Sequence, residues 1–315
     1  MNPAGTAPLE SPAVRKLLAV VAVSGLLLAG CSKGTTTSSG GGGGSSGNAC
    51  AKNNLNLLKP GTLTIGTDNP AFQPWFGGPK GAGKPPWKAD PSQGTGNPYT
   101  GQGYEGAVAY AVASQMGFTH DQVQWVPVPF NNSFKPGPKD FDFYLSEVSI
   151  TKERAQAVTF SKGYYNVQQA LVANKGTPTA RAKTFADLKD KKLGVQIGTT
   201  SYRYVVNNIK PDQQPSVYDN STDVIAALNA GQIDGYLVDA PTAYVNVLIG
   251  EAKHGVVVGQ FPTIGEQEQF GLVLQKGNSL VHCVNRAVDA IKANGTLAAL
   301  QKKWLKPITF PVIKP

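Results

Sequence analysis

From residue 61 onward, short runs rich in β-branched and aromatic residues alternate with stretches of helical periodicity, and this alternation constrains the fold most strongly. The predicted strands are 62–66, 123–128, 141–145, 170–173, 193–197, 235–238, 256–258 and 270–274. The predicted helices are 103–116, 184–189, 200–209, 221–230, 240–250, 279–293 and 296–304. Strands that alternate with helices build layered α/β folds with mostly parallel sheets. The sequence therefore predicts an α/β fold.

The N-terminal part of the chain has a different character. Residues 17–30 form an apolar run that follows two basic residues, which predicts a secretory signal. The run is too short to span a bilayer, which needs about 20 residues. Its end, Leu28-Ala29-Gly30-Cys31, resembles the lipobox of bacterial lipoproteins, in which the cysteine is lipidated. We predict a signal peptide at 1–30, lipidation of Cys31 and a Gly/Ser-rich tether at 31–51, with a plain signal peptide as the alternative.

Two further cysteines, Cys50 and Cys283, stand near the two ends of the folded part. Export would place them in an oxidising compartment, where a pair of cysteines is more often bridged than free. We therefore expect a disulfide between them. The chain has only 3 cysteines and no CxxC spacing, which excludes a small disulfide scaffold and a zinc ribbon.

Charge does not predict a nucleic-acid partner. The 315 residues include 29 Lys and Arg against 20 Asp and Glu, a formal charge of +9. The basic residues are scattered, and the longest basic runs are only the pairs Lys191-Lys192 and Lys302-Lys303. Nucleic-acid binding requires basic residues gathered on one face or in one tract.

Two glycine motifs near a loop rich in glycine and proline, at 77–101, suggest nucleotide binding but lack the required context. Gly78 to Lys84 nearly spells a P-loop, but Pro85 stands where a hydroxyl side chain should bind magnesium. Gly101 to Gly106 matches GxGxxG, but a loop precedes it instead of a strand. We predict no cofactor, and 77–101 is interpreted as an inserted loop, either disordered or placed near a site.

The sequence contains no catalytic constellation. His120, His254 and His282 are isolated, and the chain has neither HExxH nor GxSxG. We therefore predict no metal site and no enzyme, so an exported α/β protein of this kind points to binding.

Four segments that are far apart in the chain together resemble the polar amino-acid branch of the bacterial extracellular solute-binding proteins that serve ABC importers. They are GTLTIGTDNPAFQPW at 61–75, VSITKERAQAVTFS at 148–161, ADLKDKKLGVQIGTT at 186–200 and LNAGQIDGYLVD at 228–239. A C-terminal helical segment at 295–304 is also typical of the family.

The resemblance implies how the α-amino and α-carboxyl groups of a ligand would be held. Arg154 would fork the carboxylate, helped by Ser149 and by the backbone N–H groups of Thr199 and Thr200. Asp239 would bind the ammonium. The alternatives are a surface ion pair of Arg154 with Glu153 or Asp140, and a helix-capping role for Asp239.

The resemblance also implies a pocket for the ligand side chain. Asp68 and Phe72 stand where the family contacts that side chain, and Phe130 falls near the expected opposite wall. Glu147 could face the same cleft, and two carboxylates there would favour a cationic side chain. As alternatives, Asp68 bonds the loop backbone or a ligand amide, and Glu147 points away from the cleft.

The implied architecture is a two-lobed periplasmic-binding-protein-like fold, in which each lobe is a mixed, mostly parallel sheet flanked by helices. Lobe 1 is predicted to comprise 52–167 plus 268–315, and lobe 2 to comprise 168–267, with crossovers near 165–170 and 261–269. The expected protein is a monomeric lipoprotein, anchored to the cell membrane outside the cytoplasm, that closes on a polar amino acid and delivers it to an ABC permease. The alternatives are a secreted lyase or cell-wall-acting enzyme on the same fold, with Glu147 as its acid or base, and an amino-acid sensor.

Overall fold

The computed structural model describes residues 49–305 and 309–315 of the chain. The predicted signal peptide, Cys31 and the tether up to residue 48 lie outside the described residues. The α-helices are α1 Tyr104–Gln115, α2 Phe130–Ser133, α3 Arg154–Ala157, α4 Thr200–Tyr204, α5 Ser221–Asn229, α6 Ala240–Leu248, α7 Val281–Ala293 and α8 Thr296–Trp304. A π-helical turn, Val205–Ile209, continues α4. The 3₁₀ turns are Lys52–Asn54, Pro91–Gln93, Pro98–Thr100, His120–Gln122, Thr179–Arg181 and Ala186–Leu188.

Fourteen strands form two five-stranded sheets and two short ribbons among the described residues. The first seven strands are β1 Leu63–Thr67, β2 Ala71–Phe72, β3 Thr95–Gly96, β4 Val123–Pro127, β5 Phe143–Tyr144, β6 Val158–Phe160 and β7 Tyr165–Asn166. The others are β8 Gln169–Asn174, β9 Leu193–Gln196, β10 Ser216–Tyr218, β11 Gly235–Asp239, β12 Gly255–Gln260, β13 Gln269–Phe270 and β14 Val273–Gln275.

The two five-stranded sheets have the same arrangement. The first sheet has the order β4-β1-β5-β14-β6, and the second has the order β10-β9-β11-β8-β12. In each sheet two neighbouring pairs are parallel and two are antiparallel. The sheets are mixed as predicted, but parallel pairs make up half of the pairings instead of most. The reason is that β14 and β8 each enter a sheet just after the chain has crossed from the other one, and therefore run against its earlier strands.

Two crossing segments join the sheets, close to the predicted crossovers. Their strands β7 and β13 pair with each other in an antiparallel ribbon. We use lobe 1 for the first sheet with α1, α7 and α8, and lobe 2 for the second sheet with α4, α5 and α6. The cores are separate. Lobe 1 has one apolar cluster between the sheet and α1, α7 and α8, and a smaller one that contains Phe141, Tyr144 and Val273. Two other clusters cover the faces of the second sheet.

The end of the chain belongs to the second sheet. Val312 forms a bridge with Gln260, and Lys314 forms one with Thr184. Ile313 is only 1% exposed and packs in a core cluster of lobe 2. The prediction from the sequence placed these residues in lobe 1. A short segment flanked by prolines carries no strand pattern that could indicate its pairing. Its pairing is determined by tertiary contact.

The expected disulfide is present in lobe 1. Cys50 and Cys283 are joined with a Cα–Cα distance of 5.4 Å and a sequence separation of 233 residues. Because Cys283 lies in α7, the bond fastens the start of the described chain to a helix that packs on the first sheet.

The insertion at 77–101 is folded, not disordered. Its strand β3 pairs with β2, which precedes the insertion, and its Trp87 is only 1% exposed. Asn97 is fully buried, and its side-chain amide donates to the Trp87 carbonyl at 2.7 Å. This side-chain bond holds the loop where no β-sheet hydrogen bonds do so. Gly94, in this insertion, adopts a left-handed φ of +65°, and a Cβ placed on it would lie 2.3 Å from the Glu251 carboxylate of lobe 2. The insertion therefore packs closely against both lobes.

Candidate functional site

The site lies where the carboxyl ends of parallel strands from both sheets face each other. This edge is where ligands bind in open α/β sheets. Asp68 follows β1, Glu147 follows β5, Thr199 follows β9 and Asp239 ends β11. Between them is a cavity of about 360 Å³. All nine ligand-binding residues predicted from the sequence line it: Asp68, Phe72, Phe130, Glu147, Ser149, Arg154, Thr199, Thr200 and Asp239.

Arg154 is a buried cation held by backbone oxygens. One guanidinium nitrogen, Nη1, donates to the Ser149 carbonyl at 2.8 Å, and the other, Nη2, donates to the Gly198 carbonyl of lobe 2 at 2.8 Å. A guanidinium has five N–H groups, so donors are left for a ligand carboxylate. The surface ion pair considered as an alternative is formed by a different arginine, because Glu153 bonds to Arg203 at 2.6 Å.

Aromatic rings cover the face of this guanidinium. The Arg154 Cζ atom lies 4.3 Å from the ring centroid of Phe134 and 5.4 Å from that of Phe130. Stacking of this kind fixes the plane of the guanidinium and attracts its charge. Burial lowers the pKa of Arg154 to about 10, which still leaves the side chain charged at neutral pH.

Asp239 forms part of a polar chain that runs through the crossing segments. Its Oδ1 accepts from the Gln169 amide at 2.6 Å, and the Ser201 hydroxyl donates to the Gln169 carbonyl oxygen at 2.6 Å. Asp239 precedes α6 but makes no capping bond with its side chain, which argues against the capping alternative. Burial, together with the charge of Glu268, raises the pKa of Asp239 well above its usual value.

Ser149 was expected to help bind the ligand carboxylate, but the contacts of its side chain are with another residue. Its hydroxyl donates to Glu268 at 2.5 Å, and its carbonyl holds Arg154. In this arrangement Ser149 positions the arginine through its backbone. A direct bond from its hydroxyl to a ligand remains a prediction.

Glu147 points into the cavity and contacts both lobes. Its Oε2 accepts from the Thr242 hydroxyl of α6 at 2.8 Å, and Thr242 in turn accepts from the indole N–H of Trp75 at 2.7 Å. Its backbone has a left-handed φ of +55°, which is uncommon for a residue other than glycine. Burial and the charges of Asp239 and Glu105 raise the pKa of Glu147 well above its usual value.

Asp68 bonds the loop backbone, one of the alternatives for this residue, and its contact with a ligand stays a prediction. It lines the cavity, and its carboxylate accepts from the backbone N–H groups of Asn69 at 2.8 Å and Phe130 at 3.3 Å. Burial raises its pKa, and these two bonds oppose the effect. Asp68 thus ties the loop after β1 to the start of α2, next to the Phe130 ring.

The sequence analysis missed several residues of the lobe 2 wall. Asn220 caps α5 by accepting from the Asp223 N–H at 2.9 Å, and it lines the cavity together with the first turn of that helix. Thr242 lies in α6, about one helical turn after Asp239, which precedes the helix. The sequence predicts a helix over 221–230, but the position of its first turn at the cavity depends on β10 lying next to β9. Other missed lining residues are Ser146, Gln196, Ser201, Tyr236 and Asn246.

The described residues hold no group of three or more acidic, histidine or cysteine side chains arranged to bind a metal ion. Among the helices of residues 49–305, none is both long enough and apolar enough to cross a membrane.

Comparison with known proteins agrees with this geometry. The family model for bacterial extracellular solute-binding proteins, family 3, matches residues 84–307, more than half of the chain. ABC transporter arginine-binding protein 1 of Escherichia coli is 33% identical over 177 residues, which cover 53% of this chain and 67% of that protein. The L-arginine-binding protein of Pseudomonas aeruginosa is 32% identical over 192 residues, which cover 58% of this chain and 72% of that one.

A solved structure has the same fold. An ancestral arginine-binding protein bound to arginine superimposes with a TM-score of 0.60 at 27% identity, covering 78% of this chain and 98% of its own. The strand order of the two sheets, the cavity at their carboxyl edges and the match over residues 84–307 lead to one assignment. The chain belongs to the bacterial extracellular solute-binding proteins of family 3.

Proposed function

We propose that this protein captures a free polar amino acid between its lobes outside the cytoplasm and delivers it to an ABC permease. A cationic side chain is the favoured ligand type. The observation that carries the proposal is the charge of the cavity wall, in which one buried arginine faces several carboxylates. Family membership and the arginine-binding relatives support the same ligand class.

The arginine side of the cavity suits an α-carboxylate. Arg154 is fixed by two carbonyls and two rings, so its remaining donors are pre-organised for a bidentate bond. The backbone at Thr199 and Thr200 begins α4, and the unpaired N–H groups of a helix start favour an anion.

The opposite side of the cavity suits positive charge. Burial and the charge of Asp239 raise the pKa of Glu147, and burial and the charge of Glu268 raise the pKa of Asp239, an effect that Arg154 opposes. The α-ammonium of a ligand would satisfy Asp239. A second positive charge on the ligand side chain would satisfy Glu147 or Asp68, whereas a neutral side chain would leave these carboxylates without a counter-charge.

Lobe closure would connect binding to transport. Several bonds already link the lobes across the cavity, including Arg154 to Gly198 and Thr242 to Glu147. A ligand that adds bonds to both walls stabilises the closed arrangement, and a permease can recognise the joined surface. The lipid anchor at Cys31, the monomeric state and the predicted lobe boundaries as far as α8 are part of this proposal.

A thermal-shift screen tests the ligand class. The protein would be tested against each proteinogenic amino acid and ornithine, and calorimetry would follow the positive results. We expect arginine, lysine or ornithine to stabilise it most, by about 2.7 kcal/mol at a ligand concentration 100 times Kd. Stabilisation by no amino acid would refute the proposal.

A pair of variants tests the source of the charge preference. Glu147→Gln removes a carboxylate of the cavity wall, and Glu266→Gln makes the same change at an exposed position outside it. We expect the first variant to lose its preference for cationic over neutral amino acids and the second to keep it. Equal preference in both variants would exclude Glu147 as the source.

A further inference from the structure

Glu105 is a fully buried carboxylate behind the cavity wall, with no part in the contacts proposed for the ligand. It lies in the first turn of α1, inside the GxGxxG motif for which no nucleotide role was found. Its Oε1 accepts from the backbone N–H of Glu147 at 2.7 Å and from the Tyr164 hydroxyl. Its Oε2 is buried and makes no hydrogen bond within the described part of the chain.

The bond from Glu147 to Glu105 fixes an unfavourable backbone conformation. A left-handed φ at a residue with a side chain persists only when surrounding contacts stabilise it. At Glu147 this conformation turns the N–H toward Glu105, inside lobe 1, while the side chain reaches Thr242 of lobe 2. The orientation of the Glu147 carboxylate in the cavity therefore depends on Glu105.

We propose that Glu105 is a positioning residue that holds Glu147 in the ligand cavity, and that its charge strengthens the preference of the cavity for cationic ligands. This inference rests on the proposed amino-acid-binding function and assigns a residue to its specificity.

The surroundings of Glu105 allow its charge to affect the ligand. The titratable groups that interact with it are Tyr104, Tyr144, Tyr164, Glu147 and Asp239. None of them is a cation, so nothing in this set neutralises Glu105. Burial raises its pKa to about 7, opposed by the bonds from Tyr164 and Glu147.

The sign of the pH effect follows from this pKa. Above about pH 7, Glu105 is ionised and adds negative charge behind Glu147, which favours a cation in the cavity. Below that pH it takes up a proton, and the attraction weakens. Binding of a cationic ligand should therefore become tighter as pH rises through this region, while binding of a neutral amino acid should change less.

Two variants separate geometry from charge. Glu105→Gln keeps an acceptor oxygen for both donors, and its amide nitrogen takes the place of Oε2, which has no partner to lose. Glu105→Ala removes the acceptor as well. Asp142→Asn is a control for general destabilisation, because it removes a buried carboxylate of lobe 1 that does not line the cavity, together with one of its two bonds from the backbone N–H groups of Leu58 and Thr64.

The experiment is calorimetric titration of the wild type and the three variants with L-arginine and with L-glutamine, from about pH 6 to about pH 8.5. We expect Glu105→Ala to weaken binding of L-arginine about tenfold or more at every pH, because Glu147 loses its fixed position. Glu105→Gln should weaken L-arginine binding about tenfold near pH 8, should change L-glutamine binding little, and should flatten the pH profile. Asp142→Asn should keep the wild-type affinities and profile.

The outcomes distinguish this inference from the function on which it rests. A wild type that binds L-arginine, together with both Glu105 variants that match it in affinity and pH profile, overturns the role of Glu105 alone. A wild type that binds neither amino acid overturns this inference, and a thermal-shift screen in which no amino acid binds refutes the proposed function as well. If Glu105→Ala does not fold, Glu105→Gln decides the question, because an unchanged pH profile in that variant contradicts the charge effect.

Discussion

Removal of the guanidinium of Arg154 should weaken ligand binding more than any other single change at the carboxylate side of the cavity. In Arg154→Ala, the ligand carboxylate would enter a closed site without its counter-charge, and the carbonyls of Ser149 and Gly198 would lose their donor. Truncation of one partner of a buried charge pair costs about 2 to 5 kcal/mol. This corresponds to an increase in Kd of about 30-fold to about 4,000-fold.

The appropriate assay is calorimetric titration with the amino acid selected by the thermal-shift screen. Arg154→Lys should lie between the wild type and the alanine variant, because lysine keeps the charge but not the planar fork. Arg203→Ala is the control. Arg203 also bonds to an acidic side chain, but its pair with Glu153 is exposed, and such pairs contribute about 1 kcal/mol or less.

The unfolding midpoint of each variant must be measured beside its affinity, since Arg154 also links the lobes. An Arg154→Ala variant that folds and binds within a few-fold of the wild type would refute the assignment of the carboxylate to this residue. Equal losses in the Arg154 and Arg203 variants would show that the effect comes from general charge and not from the fork.

Four further predictions follow from the structure. Replacement of both disulfide cysteines by serine should lower the unfolding free energy by about 3 to 5 kcal/mol, measured by denaturant titration, and an unchanged midpoint would contradict this. Gly94→Ala should weaken binding about tenfold, because it combines backbone strain with a clash against lobe 2, while Gly81→Ala, also at positive φ but with open space around it, should keep the wild-type Kd. Burial raises the pKa of Glu251 to about 7, above its value in the unfolded chain. The free energy that this shift adds to the folded state is present at acidic pH and is lost as pH rises toward 7. Glu251→Gln should therefore flatten this part of a plot of unfolding free energy against pH. Ile313→Ala should destabilise lobe 2 by about 2 to 4 kcal/mol, and a melting temperature equal to that of the wild type would show that the chain end does not support the core.

The parts of the fold that could be predicted are those recorded in local patterns. The central strands of both sheets and the helices α1, α5, α6, α7 and α8 follow from periodicity, capping and turn residues. The pair of crossing segments was predicted from the resemblance to the family. The nine site residues could be named because segments of the chain resemble the binding segments of the family. The position of such a residue at a strand end largely determines where it lies in the folded protein.

The remaining features depend on contacts between distant parts of the chain. Nothing near Glu147 in the sequence indicates that its N–H bonds to Glu105, because that contact joins residues 42 positions apart. Likewise, the folded conformation of the insertion depends on Asn97. Its side-chain amide donates to backbone carbonyls that are not its neighbours in the sequence. Thr242 became part of the site only because α6 lies beside the loop after β5.

The pairing of the chain end with β12 affects the mechanics of the hinge. Two crossing segments that pair as a ribbon form a narrow strip, and a narrow strip can both bend and twist. The C-terminal residues leave α8 in lobe 1 and attach at Gln260 and Thr184 in lobe 2, so a third covalent connection spans the lobes. Leu305 and Phe310 of this connection line a cavity together with Tyr165 and Asn166 of the strip. A third connection beside the strip resists twisting of the strip but still lets it bend. The opening motion should therefore be mainly a hinge rotation about one axis, without twisting of one lobe against the other. The two walls of the cavity would then return to the same relative position at every closure.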